Sequence, residues 1–375
     1  METITKVVMV LSRLDKTGKT THTIDLADAL SKEGINVTVC VGYVRGDKLA
    51  DELMDRLSQT GAIIKKFHFP DHKSTLFSKI RTFLSLSFYI LSCKGSIIHI
   101  QSPYLSWIPW ILGKRFISTL HVNDLVKCFY YKKADELIAI SRETKQYAID
   151  QFGYSSNNIT IVHHGVSDRY AQVLSLNERD NQRIKLGLPT DKLLLLIVGS
   201  IEPRKGQHIL LQAIEELPDV IKDKIHVILL GSDKTDSLSN DNWLNEWIKK
   251  TNTSKYISRF EYADSSQFYK IADINILPSE LEGFGLVIIE GMLSGNLCIR
   301  SDAEGAYDTT IDRKTGFIFP KGDFQQLSKI LKEVITDDNL RKTIAANGRD
   351  YALSHFKSEN MAKNTISVYK KLKQL

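Results

Sequence analysis

The chain has 375 residues, of which 42% are hydrophobic and 25% charged. These are ordinary globular proportions, which exclude a disordered tail, a fibre and a disulfide-stapled miniprotein. Roughly 150 residues per domain makes this two domains, or three, and the net charge of +6 falls entirely in residues 1–170, with 22 Lys and Arg against 16 Asp and Glu; residues 171–375 carry 28 of each.

Short apolar runs read as buried strands, and the amphipathic stretches between them as helices. In the first half the strands are Lys6–Ser12, Asn36–Tyr43, Ser96–Gln101, Phe116–His121, Glu136–Ser141 and Ile159–His164. Between the first two, Thr20–Glu33 puts Ile24, Leu26, Ala27, Ala29 and Leu30 on one helical stripe, which Gly34 stops. The pattern restarts with Leu193–Gly199, a helix over Gln207–Leu217, and strands at His226–Gly231, Ile274–Pro278, Asn296–Ser301 and Thr315–Pro320. Strand–helix alternation of this kind gives a parallel sheet covered on both faces. Two sets predict an α/β protein of two doubly wound domains, residues 1–170 and 185–350, joined by the polar stretch Asp168–Thr190. A last helix runs from about Ser358, its N-cap candidate, to Lys373. No repeat of 20–50 residues is visible.

The four cysteines, Cys40, Cys93, Cys128 and Cys298, lie far apart and form no CxxC pair. That argues against a zinc ribbon or a dithiol site and fits a reducing cytosol. No run approaches the roughly 18 apolar residues of a membrane span; Phe83–Leu91 is too short. The start, METITKVVMVL, lacks the layout of a signal peptide. A cytoplasmic location is the expectation. Lys65–Lys133 holds 11 basic residues against Asp71 and Asp124. Such a patch suits an anionic membrane surface or a phosphate-bearing ligand, and a solvated basic face without a partner explains it equally well. No helix-turn-helix or aromatic–basic signature accompanies it, so nucleic acid is not expected.

In open parallel sheets ligands bind at the carboxyl ends of strands, where the strand order reverses. Two such domains facing each other would enclose a cleft there, and the motifs sit just after the expected strands. In Ser279–Gly295 a strand ends at Pro278, a loop carries Glu282, Gly283, Phe284 and Gly285, and a helix begins near Leu286 and carries Glu290. The two glycines let backbone N–H groups approach a ligand, and the helix start adds a positive dipole end, together an anion cradle. Glu282 projects into its mouth; Glu290, further inside, can accept hydrogen bonds from vicinal hydroxyls. For two glycines alone, a plain glycine-rich connection is the better reading. Val198–Gly206 likewise follows a strand and opens a helix, and Lys205 there can reach a diphosphate, with Arg204 as a second cation. Arg204 by itself reads as well as a surface residue.

His121 closes the strand FISTLH. A lone histidine is more often structural, but a strand's carboxyl end favours function. His99 lies inside a strand and reads as core. His163 and His164 are adjacent, face opposite ways and make a poor metal pair. Gly18-Lys19-Thr20-Thr21 imitates the end of a P-loop, yet Arg13 stands where the pattern requires a glycine. N–H groups at Gly18, with Lys19, remain able to hold an anion.

With these residues in place the chain resembles the retaining glycosyltransferases of family 4, which have the GT-B fold of two Rossmann-like domains facing a cleft. Their signature, two glutamates separated by seven residues in the pattern EGFGLxxxE, is matched by Glu282–Glu290. HVNDL at His121, IAIS at Ile138–Ser141, IVHHGV at Ile161–Val166, KG at Lys205–Gly206 and GFIFPKGD at Gly316–Asp323 follow in family order, so the resemblance covers nearly the whole chain. It implies that Lys205 contacts the diphosphate of a nucleotide-sugar donor, with Arg204, Gly283, Phe284, Gly285 and Leu286 nearby, and that Gly18 belongs to a turn facing acceptor and donor phosphate. Glu282 would orient the donor sugar's hydroxyls, Glu290 would bind the ribose, and His121 would support the reacting carbon. It also implies retention of configuration by front-side attack, with UDP-sugar favoured and GDP-sugar open. The helix at about 358–375 is expected to pack back on the first domain.

The acceptor would be a sugar or a lipid- or protein-linked glycan, and the product a surface polysaccharide or glycoconjugate. Lys65–Lys133, with Tyr104, Trp107, Pro109 and Trp110, would then dock on the inner face of the cell membrane. No Asp-x-Asp motif is present, so neither a metal nor another cofactor is expected. The chain departs from the family in having Ser200 for an arginine, His164 for an asparagine and Glu304 for a glycine in SDAEGAYD, Ser301–Asp308, a binding-region loop that Arg300 is expected to accompany into the cleft. Other GT-B enzymes (a phosphorylase or an epimerase), a non-catalytic GT-B partner subunit and a P-loop-like ATP-binding protein stand as alternatives.

Overall fold

A computed structural model of the chain describes residues 4–15, 17–42, 48–67, 76–232, 240–261 and 263–374. Tyr43, at the end of one expected strand, and residues 68–75 of the basic segment lie outside the described residues. The chain divides into two compact units: residues 1–166 with 357–375, and residues 167–356.

The first unit is a seven-stranded, wholly parallel sheet. Its strands are β1 (Lys6–Leu11), β2 (Asn36–Gly42), β3 (Ile63–Phe67), β4 (Ile97–Ile100), β5 (Ile117–Leu120), β6 (Glu136–Ala139) and β7 (Ile159–Ile161), in the order β3-β2-β1-β4-β5-β6-β7. The order reverses between β1 and β4, where Val7 pairs with Ile97. β1 is apolar on both faces, as a strand covered by helices on two sides must be. The helix Gly18–Lys32 buries Ile24, Leu26, Ala27, Ala29 and Leu30, the expected stripe. They share one core with Met361, Ala362, Val368, Tyr369 and Leu372 of the last helix, Ser358–Gln374. Ser358 is inside that helix; its first turn is closed by the amide of Met361 donating to the carbonyl of Lys357 at 3.3 Å, so Lys357 takes the capping place expected for Ser358. β3, IIKKF, is an edge strand that the apolar-run criterion passes over, because two lysines interrupt it.

The second unit repeats the plan with β8 (Leu193–Val198), β9 (Ile225–Leu230), β10 (Ile257–Phe260), β11 (Ile274–Leu277), β12 (Leu297–Ser301) and β13 (Phe317–Phe319). All are parallel, in the order β10-β9-β8-β11-β12-β13, with the reversal between β8 and β11. The stretch Asp168–Thr190, expected to be a join, is a folded part of this unit. Ser175 and Glu178 form a capping box for the helix Leu176–Lys185. From that helix Arg179 and Arg183 reach Asp273 at 2.7 and 2.8 Å, and Arg183 also donates to the carbonyl of Ile271 at 2.6 Å. Its polarity is that of an anchored helix surface, not of a linker.

Candidate functional site

The reversal point of the second unit brings two of the sequence motifs together. After β8 the chain makes a turn of 3-10 helix over Pro203–Lys205, and Gly206 follows at φ 70°. A Cβ on Gly206 would lie 2.0 Å from the carbonyl oxygen of Pro278, so only glycine lets this turn close onto the end of β11. The amide of Glu280 donates to the carbonyl of Arg204 at 2.9 Å across the same contact. The result is an ion pair between the Lys205 ammonium and the Glu282 carboxylate. The Ser279 hydroxyl donates to the same carboxylate oxygen at 2.9 Å. Burial alone would push the Glu282 carboxyl up, but the Lys205 charge and the hydrogen bonds from Lys205 and Ser279 outweigh it and hold the group below its ordinary value.

Ser200, where the resemblance implies an arginine, donates to a Glu202 oxygen at 2.5 Å, and Arg204 pairs with that same oxygen at 2.7 Å. Arg204 is thus tied to a carboxylate of its own turn while remaining partly exposed.

Gly285, at φ 82°, caps the helix Leu286–Leu293. Phe284 is buried against Phe356, with ring centroids 6.0 Å apart, so its side chain holds the loop. Arg300 corrects the sequence reading. It is wholly buried; its guanidinium donates to the carbonyls of Phe284 (3.1 Å), Gly305 (3.3 Å), Ala303 (3.3 Å) and Glu304 (3.1 Å) and to the Thr309 hydroxyl (2.6 Å). It ties the Gly283–Gly285 loop to the Ser301–Asp308 loop. Glu304 accepts from the Glu282 amide at 3.2 Å and lies 3.9 Å from Lys321. The Glu304 carboxylate therefore occupies the backbone N–H of Glu282 itself. Glu290 is buried, and its charge is one cause, after burial, of the strongly raised phenol of Tyr269, a wholly buried residue that the sequence gives no reason to select.

At the reversal point of the first unit, the Gly18 turn is already engaged by a carboxylate. Gly18 begins a helix whose start is flanked by Asp15. Asp15 accepts from the hydroxyls of Thr17 and, at 2.9 Å, Thr20, and pairs with Lys19 at 4.0 Å. The chain's own carboxylate thus sits beside Lys19, one of the groups expected to hold an anion. His121 is buried at the end of β5. One ring nitrogen of His121, Nε2, lies 3.0 Å from Gln101 Oε1, and Nδ1 lies 3.2 Å from Nε2 of His164. His22 completes the group. Its ring stacks on His164 at 4.2 Å between centroids and meets His121 edge-on at 4.9 Å. Burial lowers all three, His22 to about 3. His164 joins histidines from two other segments. His22 occupies the apolar stripe of its helix, four residues before Leu26, where periodicity alone reads core. His99 is core: its ring nitrogens meet the hydroxyls of Tyr369 (2.8 Å) and Thr119 (2.7 Å).

Two parallel sheets that each reverse strand order define the doubly wound class of α/β protein, in which ligands lie at strand carboxyl ends. Residues 17–170 match the model for Glycosyltransferase Family 4 and residues 178–351 that for Glycosyl transferases group 1. The chain belongs to the family 4 glycosyltransferases of GT-B fold. It is 28% identical over 240 residues to the capsular polysaccharide biosynthesis glycosyltransferase CapM of Staphylococcus aureus, covering 63% of this chain and 61% of that protein. It is also 28% identical over 246 residues to a D-inositol 3-phosphate glycosyltransferase of Streptomyces bingchenggensis, 52% of which is covered. The chain thus aligns with about half to three fifths of these relatives' lengths. Among solved structures, a glycosyltransferase from Rickettsia africae superposes with a TM-score of 0.83 at 20% identity, 99% of both chains being covered. Anabaena HepE in complex with UDP superposes with 0.82 at 18% identity, covering 98% of this chain and 100% of that one.

Proposed function

We propose that this chain transfers a sugar from a nucleotide-diphosphate sugar, UDP-sugar being favoured, to an acceptor hydroxyl with retention of configuration and without a metal. The observation that carries the reading is the Lys205–Glu282 pair, held between the Gly206 turn and the Gly285-capped helix. In this reading Lys205, assisted by Arg204 and by backbone donors at Gly283–Leu286, meets the charge that develops on the leaving diphosphate. Glu282 holds hydroxyls of the donor sugar, Glu290 the ribose, and His121 serves the reacting carbon. The bond from the sugar carbon to the phosphate oxygen breaks, the acceptor oxygen joins that carbon on the same face, and the acceptor's proton passes to the departing phosphate oxygen. HepE bound to UDP and to UDP-glucose, and CapM of capsular polysaccharide biosynthesis, favour a UDP donor and a polysaccharide or glycoconjugate product.

Thermal stability with UDP, GDP, ADP, CMP and ATP, each with and without Mg²⁺, tests the reading. A nucleotide at 100 times its dissociation constant adds about 2.7 kcal/mol. UDP is expected to raise the melting temperature without metal. A rise with ATP and Mg²⁺ alone would sink the transferase reading.

The acceptor is proposed to lie at an anionic membrane surface, with the chain bound there from the cytoplasm. Among the described residues no helix is long and apolar enough to cross a membrane. The helix Leu76–Ser92 carries Phe77, Ile80, Leu84, Phe88 and Leu91 exposed along one stripe, the two phenylalanines 76% exposed each. Tyr104 and Trp110 are exposed too, whereas Pro109 is buried and Trp107 is half-buried in a stack on Phe83 at 4.8 Å, so these two leave the expected docking set. Lys132 stands over the rings of Trp110 and Phe129 at 4.7 and 4.5 Å. Exposed apolar side chains within a basic segment suit the interface of an anionic bilayer. The chain is expected to sediment with phosphatidylglycerol vesicles at low salt. The double variant F77S/F88S is expected to bind at least about tenfold more weakly, since burying each phenylalanine is worth about 1.5–3 kcal/mol. Indifference to such vesicles would remove the membrane from the reading.

A further inference from the structure

His22, His121 and His164 bring three imidazoles into one buried pocket of the first unit, their ligand nitrogens all within 4.8 Å of one another. Two nitrogens bound to one zinc at about 2.0–2.1 Å in a tetrahedral arrangement stand roughly 3.3 Å apart. His121 Nδ1 and His164 Nε2 are 3.2 Å apart. His22 is the second, independent observation. Both its ring nitrogens are buried and neither has a hydrogen-bond partner. A buried polar group left in that state costs about 1–3 kcal/mol, and an ion would satisfy one of these nitrogens once the His22 ring turns out of its stack on His164. Gln101 Oε1, 3.0 Å from His121 Nε2, accepts a hydrogen bond from that nitrogen and leaves the Nδ1 lone pair directed at the other rings. This is the outer hydrogen bond that orients ligand histidines.

The donor set selects the ion. Three imidazoles without a carboxylate favour borderline dications such as Zn²⁺ and Co²⁺ over Mg²⁺ or Ca²⁺. Burial keeps the rings neutral at neutral pH, so no proton need leave first. Lys19, whose charge reaches His121, opposes a cation here and is itself paired with Asp15 at 4.0 Å.

We propose that His22, His121 and His164 form a site for one divalent transition-metal ion of the zinc–cobalt kind, and that occupancy withdraws His121 from sugar transfer. The second half rests on the transferase reading; the first does not. The test is a titration of the chelator-stripped full chain with Co²⁺, followed by visible absorption and calorimetry. One equivalent is expected, with the spectrum of a low-coordinate ion that Zn²⁺ bleaches. His164→Asn, the residue usual in the family, and His22→Gln are each expected to weaken binding by roughly 100-fold or more, at or above the loss typical for outer-shell partners. The retained helical spectrum of each variant checks that it has folded. Absence of stoichiometric binding, or equal affinity in both folded variants, would overturn the site. Zn²⁺ is then expected to suppress transfer in the wild type and to spare it in His164→Asn at the same concentration. Stoichiometric binding with transfer unaffected by Zn²⁺ would overturn the inhibitory half. Stoichiometric binding in a chain with no transfer to any acceptor under chelation would count against the transferase reading and leave the site standing.

Discussion

Glu282→Gln is expected to lower the turnover of sugar transfer by roughly 10- to 150-fold while UDP itself still binds. The reasoning begins with the pair. Lys205 and Glu282 are each largely shielded, and Ser279 adds a hydrogen bond to the same carboxylate oxygen. A hydrogen bond to a charged group is worth about 1.5–3 kcal/mol, and 1.4 kcal/mol is a factor of ten. Glutamine keeps the shape and one acceptor but loses the charge that orders the donor sugar's hydroxyls, so the loss should appear with UDP-sugar and not with UDP. Lys205→Ala should do the reverse. It removes the cation proposed to meet the diphosphate, and it leaves Glu282 as a shielded negative charge where that diphosphate must sit. UDP affinity is therefore expected to fall by at least the same factor. The double variant K205A/E282Q should be more stable than Lys205→Ala alone, because contacting charges couple by about 0.5–3 kcal/mol. Turnover, UDP affinity and melting temperature of the three variants decide the matter. Wild-type turnover in Glu282→Gln would remove this pair from the mechanism.

Much of this arrangement is legible in the sequence, for a reason that also marks the limit. Buried parallel strands are continuous apolar runs, so β1, β8 and β11 declare themselves in KVVMVL, LLLLIV and INIL. The edge strands β3 and β10 do not, since IIKKF and ISRF need cover on fewer sides and carry lysine and arginine. The glutamate signature and the Gly206 turn are local, and spacing along the chain suffices to place them. What escaped is set by approach in space. Arg300 reads as a free cation near a loop, yet carbonyls of two loops and the Thr309 hydroxyl close over it. His22 lies on an apolar stripe, and nothing local reveals that His121 and His164 arrive from 99 and 142 residues away to meet it. Asp15 is near its partners in sequence, but only the helix start turns its carboxylate toward Thr17, Thr20 and Lys19.

The first unit is expected to lose its stability to mild acid well before carboxylates titrate. His99 and His22 are buried, and burial lowers each from 6.5 to about 3, with the neighbouring His22 a second cause for His99. A folded value below the unfolded one means that the unfolded chain binds the extra proton between about pH 6.5 and 3. Stability is then complete above pH 6.5 and declines as pH falls through that window, by about 1.4 kcal/mol per pH unit for each ring. Between pH 6.5 and 5 two rings remove roughly 4 kcal/mol, against a total of about 5–15 kcal/mol for a folded domain. The consequence is local. A proton on His99 enters the contact between β4 and Tyr369 of the last helix, so that helix and the first sheet should loosen together. The second unit holds His208 and His226, both lowered first by burial but neither as fully enclosed, and should respond less. Trp107 and Trp110 report on the first unit, Trp243 and Trp247 on the second. Melting curves with a chelator present, read by fluorescence in variants keeping one tryptophan pair, are expected to show the first transition moving down steeply from pH 7 to 5 and the second far less. His22→Gln should remove about one proton from the slope of the first. A first transition that stays fixed between pH 7 and 5 would mean that these rings reach water before the sheet opens, and the burial argument for the trio would fall with it.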